Sequence, residues 1–271
     1  MAILMSESTD LKIERANHHR EQLLADLQAF RDREPYVIWE RIEERGAVTY
    51  RVVSAEDAEQ PPDQIALVLG DFIQNLRSSL DHVVGAIRAD GPSKDSAFPI
   101  CFRKDGDGGF DRVSTKKLAG VPEAAKDIIE SMQPYVPADG DRDWHRDMFR
   151  PLGILHTLWN IDKHRSILLS TTLVRPKYVG HNRTTDEPSG IGHRFAAAGG
   201  IAEWWLPVDE RDQAFDPHFG IEVSLTRPIG FADDWPPEMG SRPLDGLVEQ
   251  LYRTVAFGAV PRLREFMRLT K

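Results

Sequence analysis

Apolar residues recur at helical spacing over most of the first 165 positions, and this periodicity divides the chain. Between positions 67 and 87, Leu69, Phe72, Ile73, Leu76, Leu80, Val83, Val84 and Ile87 fall on one broad face when successive residues are set about 100° apart. Upstream, Thr9 and Asp10 offer a helix cap. Leu11, Ile13, Leu23, Leu24, Leu27 and Phe30 follow at near-helical steps until Pro35 stops the run. Pro61, Pro62 and Asp63 open the second helix, since a first turn needs no backbone donor from proline. Between the two helices, YVIWERIEE and AVTYRVVSA alternate apolar and polar residues around Arg45 and Gly46, which predicts a β-hairpin over 36–54.

Positions 90–120 are rich in Gly, Asp, Ser and Lys and read as loop, with AFPICF tucked into the core. A short helix is expected from Pro122 to Gln133. A longer one runs from about Trp144 to Arg165, with Pro151 as a kink or a fresh start and Ile154, Leu158, Ile161, Leu168 and Leu169 as its apolar side. After Ser166 the period shortens. SILLSTTLV, HRFAAA, IAEWWLPV and FGIEVSLTRP are short β-like runs within a segment spanning 166–230, which predicts a small antiparallel sheet packed on the helices. Leu244, Leu247, Val248, Leu251 and Val255 then mark a C-terminal helix over 242–269 that Pro261 restarts. The expected architecture is α+β and helix-dominated: a single domain over 1–271 with a helical core over 8–165.

Composition narrows the function classes. The 271 residues carry a net charge of −9, so an extended DNA or RNA surface is not expected, although a local basic site is allowed. No apolar run approaches the roughly 18 residues that span a bilayer, so no membrane partner is expected. The opening MAILMSESTD lacks a basic region and a small-residue cleavage site, and a cytoplasmic location is expected. The single cysteine, Cys101, forms no internal disulfide and reads as a small buried hydrophobe.

Two polar stripes carry the candidate chemistry. Opposite the apolar face of segment 67–87 lie Asp71, Asn75, Ser78 and His82, with Arg77 and Asp81 on a flank at i, i+4 as an intrahelical ion pair. Asp, Asn, Ser and His are weaker helix formers than Lys or Glu, which points to a selected polar face. Segment 152–169 repeats the arrangement with His156, Asn160, Lys163 and His164. Were the two helices neighbours, the stripes would meet in one site. A divalent metal held by Asp71, His82, His156 and His164 is the third reading weighed. Yet His156 and His164 are separated by about 12 Å of helical rise, and no H-E-x-x-H is present, so no metal and no cofactor are assigned. The acidic stretches Asp105–Asp111 and Asp139–Asp143 lack the glycine and glutamate of a calcium loop and read as solvated turns. Trp204, Trp205 and Trp235 could instead supply the contact surface of a non-catalytic binding module.

The run Arg77-Ser-Ser-Leu-Asp-His82 fits R-x4-H and at this helix resembles ribonucleases of the HEPN superfamily, with Ser78 where that family usually carries Asn, Asp or His. The resemblance implies metal-independent cleavage of RNA, with His82 acting on the ribose 2′-hydroxyl, Arg77 holding the phosphate, and two copies meeting in a homodimer. Separately, ERANHH, PYVIWE, LGDFIQNLRSSLDHVV, FPI, QPY and NIDKHR resemble a group of bacterial, largely actinobacterial, proteins without an assigned activity. That likeness covers about the first 170 residues and implies a bacterial source but no chemistry. Three readings stay open: a HEPN-like ribonuclease or RNA-binding protein, a non-catalytic binding or structural module, and a metal-dependent helical-bundle enzyme.

Overall fold

In the computed structural model, residues 5–57, 59–135, 143–178, 193–194, 202–207, 217–226 and 242–268 are described. The elements run in the order α1 (Met5–Asp32), β1 (Tyr36–Arg45), β2 (Val48–Asp57), α2 (Asp63–Ile87), α3 (Phe110–Lys117), α4 (Glu123–Ser131) and α5 (Asp143–His164). There follow β3 (Leu169–Tyr178), β4 (His193–Arg194), β5 (Ala202–Pro207), β6 (Pro217–Leu225), α6 (Leu244–Arg253) and α7 (Val260–Arg268). The class is α+β with helices dominant, as the periodicity predicts. No described helix is long and apolar enough to cross a membrane.

The helical core forms because the apolar stripes close on one another. All eight apolar residues of the α2 face are buried, as are Leu23, Leu27 and Phe30 of α1 and Leu152, Leu155, Leu158 and Ile161 of α5. α2 is the central helix, packed against α1, α5 and α7. At the C-terminus Leu244, Leu247, Val248, Leu251 and Val255 are buried as their spacing requires. The last helix does not simply restart at Pro261: a π-helical turn at Thr254–Ala259 joins α6 to α7. Pro261 has no N–H and its ring crowds the carbonyl four residues back, so a widened turn just upstream is where the hydrogen-bond ladder can change register.

Three further expectations are corrected. α1 is already helical at Met5, so Thr9 and Asp10 do not cap it; Thr9 is buried, and Asp10 pairs with Arg264 of α7 at 2.5 Å. Within the stretch read as loop, Phe110–Lys117 is helical, because buried Phe110 anchors its first turn while Asp111, Arg112, Thr115 and Lys116 face out. α5 runs unbroken through Pro151 and ends at His164, so Leu168 and Leu169 are not on its apolar face; Leu168 is exposed and Leu169 opens β3.

The hairpin closes through Gly46 and Ala47, where Gly46 takes φ +63°, a value suited to glycine in a two-residue turn. Its strands run three residues beyond the predicted end. The later strands do not form one separate sheet. β5 adds to β2 and β4 to β5, giving an antiparallel four-stranded sheet in the order β1-β2-β5-β4, while β3 and β6 pair by themselves. Local alternation predicts strands but carries no information about which distant strand supplies the partner. Trp204 and Trp205 lie on β5 opposite Val53 and Val52; Trp235 lies outside the described residues.

Candidate functional site

The segment Phe98–Cys101 crosses the flank of α2 and is held from two sides by buried side chains. The Arg77 guanidinium is only 2% exposed. It donates from Nη1 to Asp81 Oδ1 at 2.6 Å and from Nη2 to the Phe98 carbonyl at 2.7 Å. Asp81 Oδ1 also accepts the Phe98 N–H at 2.8 Å. From α4's end, Gln133 accepts the Cys101 N–H at 2.8 Å and donates to the Pro99 carbonyl at 3.0 Å. The expected i, i+4 ion pair is therefore present, but it is an interior clamp on a loop rather than a surface pair.

α5 faces the same loop. Phe102 lies against Gly153, where an added Cβ would sit 2.8 Å from the Phe102 ring, so a larger residue there would push the ring aside. The Phe102 ring is 6.2 Å from His156, and His156 is 6.2 Å from Trp159, one turn on. Nε2 of His156 is 3.1 Å from the Asn160 side-chain amide nitrogen, so Asn160 is the donor and Nε2 the acceptor. Nδ1 of His156 and Nε of Arg77 are buried without a hydrogen-bond partner. Trp159 donates its indole N–H to Gln74 of α2 at 2.7 Å, and Gln74 in turn donates to Ser78 at 3.2 Å. The Lys163 ammonium rests on the Trp159 ring, 3.6 Å from its centroid, and the Arg77 guanidinium carbon is 5.2 Å from the same centroid.

Electrostatics mark this seam as cationic. His156 is held at about 4, below its usual 6.5, first by burial and then by Arg77, Lys117 and Lys163. The Lys117 ammonium at the end of α3 is likewise pushed down, by burial and then by Arg77, with Asp81 acting against the shift. Among the described residues neither Lys117 nor Lys163 forms an ion pair with a carboxylate. Burial pushes the Cys101 thiol up, which leaves it unreactive at neutral pH.

The predicted stripes are thus partly united. α2 and α5 are neighbours, and Arg77, Ser78, His156, Asn160 and Lys163 line their seam, with Ser78 reached through Gln74. His82 is elsewhere: its Nδ1 is 2.8 Å from the Ser8 hydroxyl of α1. Five residues of helix set Arg77 and His82 about 140° apart, so the R-x4-H pair does not converge within this chain. Asn75 bonds back to the Asp71 carbonyl at 2.8 Å. Asp71 is exposed; burial and then the Asp71 charge raise the Asp162 carboxyl, and Asp71 also acts on His19 of α1. His164 is exposed at the end of α5. Among the described residues no three His, Cys, Asp or Glu side chains are placed to hold a metal.

Gln74, Lys117, Trp159 and Phe102 belong to the seam and escape sequence reasoning. Trp159 and Gln74 were discoverable, since Gln74 precedes the polar stripe and Trp159 lies one turn from His156. Lys117 gives no such signal, because its place depends on a helix that the composition of 90–120 hides. Comparison with protein-family models, curated proteins and solved structures finds no match for this chain.

Proposed function

We propose that the chain is a ligand-binding module whose α2/α5 seam holds the oxyanion of a compact ligand, a phosphate or carboxylate, with any planar part of that ligand laid over Phe102. The observation that supports this reading is the charge count around His156. Arg77, Lys117 and Lys163 act on it together, and the one carboxylate in the cluster among the described residues, Asp81, is already engaged by Arg77 and the Phe98 N–H. Clustered cations repel one another, and an anion relieves that repulsion. Phe102, 56% exposed beside His156, offers an apolar rim. The net charge of −9 opposes an extended polyanion and favours a small ligand. An imidazole held near 4 is neutral at pH 7 and accepts from Asn160, a positioning role rather than that of a general acid.

Inorganic phosphate is the probe. Titrating it while following the His156 imidazole by NMR, with His156→Gln to assign the resonance, should raise the His156 pKa by about a unit as the anion offsets the cations. Lys117→Ala and Lys163→Ala should each weaken binding several-fold. An imidazole that titrates identically with and without phosphate, up to high millimolar concentration, overturns the proposal.

A further inference from the structure

The four-stranded sheet ends on one side in β1, a strand of ten residues with no proline and no bulge whose outer long edge has no strand partner among the described residues. β4, the opposite edge, has two residues among those described. β1 also carries apolar side chains in solvent: Val37, Trp39 at 44% exposed and Ile42 at 64% exposed. Proteins usually blunt such an edge with charge, and β1 does carry Glu40, Arg41, Glu43, Glu44 and Arg45. The order of these charges, however, is self-complementary.

We infer that β1 is a docking edge for a second copy of this chain, paired antiparallel across a two-fold axis centred on Ile42. Such an axis runs perpendicular to the sheet and keeps each face on its own side, so one residue must stand opposite itself. Centring on Ile42 places Ile42 against its copy, Arg41 against the copy's Glu43, and Trp39 against the copy's Arg45, each of the last two pairs occurring twice. The mixed pairs are opposite charges and a cation over an aromatic ring, both stabilising cross-strand neighbours. Glu40 then faces the copy's Glu44, but Glu40 is already neutralised by a forked contact from Arg51 of β2 at 2.8 and 2.6 Å. Centring instead on Glu40, Arg41 or Glu43 puts like charges on the axis. Arg41 and Arg45, 46% and 60% exposed at their side chains, both reach Glu43 within their own strand, at 3.4 and 3.3 Å, and Arg41 also donates to Ser54 of β2 at 3.2 Å, so the copy's Glu43 and Trp39 would add to partners these arginines already have. This pairing joins two four-stranded sheets into one of eight and depends on none of the residues of the α2/α5 seam.

Sedimentation equilibrium on the full chain over a wide concentration range tests it. The wild type should show a monomer–dimer equilibrium. Arg41→Glu should move the midpoint to roughly tenfold higher concentration, because two attractive pairs become repulsive. Adding Glu43→Arg to that variant restores opposite signs and should bring the midpoint back to the wild-type value. Circular dichroism confirms that the variants keep the fold. Under mild oxidation Ile42→Cys should yield a disulfide-linked dimer, whereas Val37→Cys, which stands opposite Ala47 of the copy, should not. A wild type that stays monomeric throughout, a dimer unaffected by Arg41→Glu, or a double reversal that fails to restore association overturns the inference.

Discussion

α2 meets α5 and α1 along two seams that use polar residues in opposite ways. Toward α5, Arg77 is buried and satisfies both an acid on its own helix and a loop carbonyl, surrounded by Lys117, Lys163 and a neutral imidazole. Toward α1, His82 hydrogen-bonds Ser8, half-buried on both sides, beside the apolar packing of Ala16, Leu23 and Leu27, and Asp71 acts on the buried His19. The first seam concentrates charge that packing alone does not need. The second could exchange its polar pair for apolar side chains with little loss. Histidine on a helix face is therefore no guide to chemistry by itself; what separates His156 from His82 is the field around it.

The sharpest way to break this contrast is to remove Arg77. Arg77→Ala leaves Asp81 and the Phe98 carbonyl without their buried partner, and deleting one member of a buried ion pair costs about 3–5 kcal/mol. Arg77→Lys should recover only part, because one ammonium cannot reproduce the two-pronged reach of the guanidinium. Urea unfolding measures both. A loss below about 1 kcal/mol for Arg77→Ala would show that the loop is held by Gln133 alone and that the cation is there for another reason.

The next effect is a pH dependence. His156 ionises at about 4 in the folded chain and near 6.5 when unfolded, so below 6.5 the unfolded state takes up a proton that the folded state refuses. The associated stability is complete above pH 6.5 and is lost as pH falls from 6.5 toward 4, up to about 3 kcal/mol. His156→Gln should flatten the stability profile in that window while leaving the region above pH 7 unchanged in slope. An unaltered profile would mean that the seam is wetter and less cationic than its geometry indicates.

The fold was legible where local rules decide it. The α2 stripe, the hairpin and its glycine turn follow from spacing and backbone preference, and each is found where the pattern puts it. The seam was half legible. A polar stripe says which residues share a face, and the contact of α2 with α5 then brings Arg77, His156, Asn160 and Lys163 together. It does not say which side of the stripe a neighbour covers. Arg77 looked like a flank residue and is interior, while His82 looked central and serves α1. Lys117 and Phe102 enter through a loop and a short helix whose positions come from tertiary packing on Gln133, Arg77 and Gly153, and no local period encodes that. The pairing of β5 with β2 joins residues about 150 positions apart for the same reason.

The smallest effect tests the quiet side of the comparison. His82→Ala removes one side chain to side chain hydrogen bond from a half-buried position and leaves the Ser8 hydroxyl near solvent, so the loss should be about 0.5–1 kcal/mol by thermal or urea unfolding. Ser8→Ala should cost about the same, and the two changes together little more than either, since each deletes the same bond. Neither should move the His156 titration or its response to phosphate, because His82 points away from the seam toward α1. If His82→Ala instead shifts the His156 titration or abolishes binding, the two faces of α2 are coupled, and the Arg77–His82 pairing implied by the R-x4-H run would have to be reconsidered as acting through the helix or across a second copy.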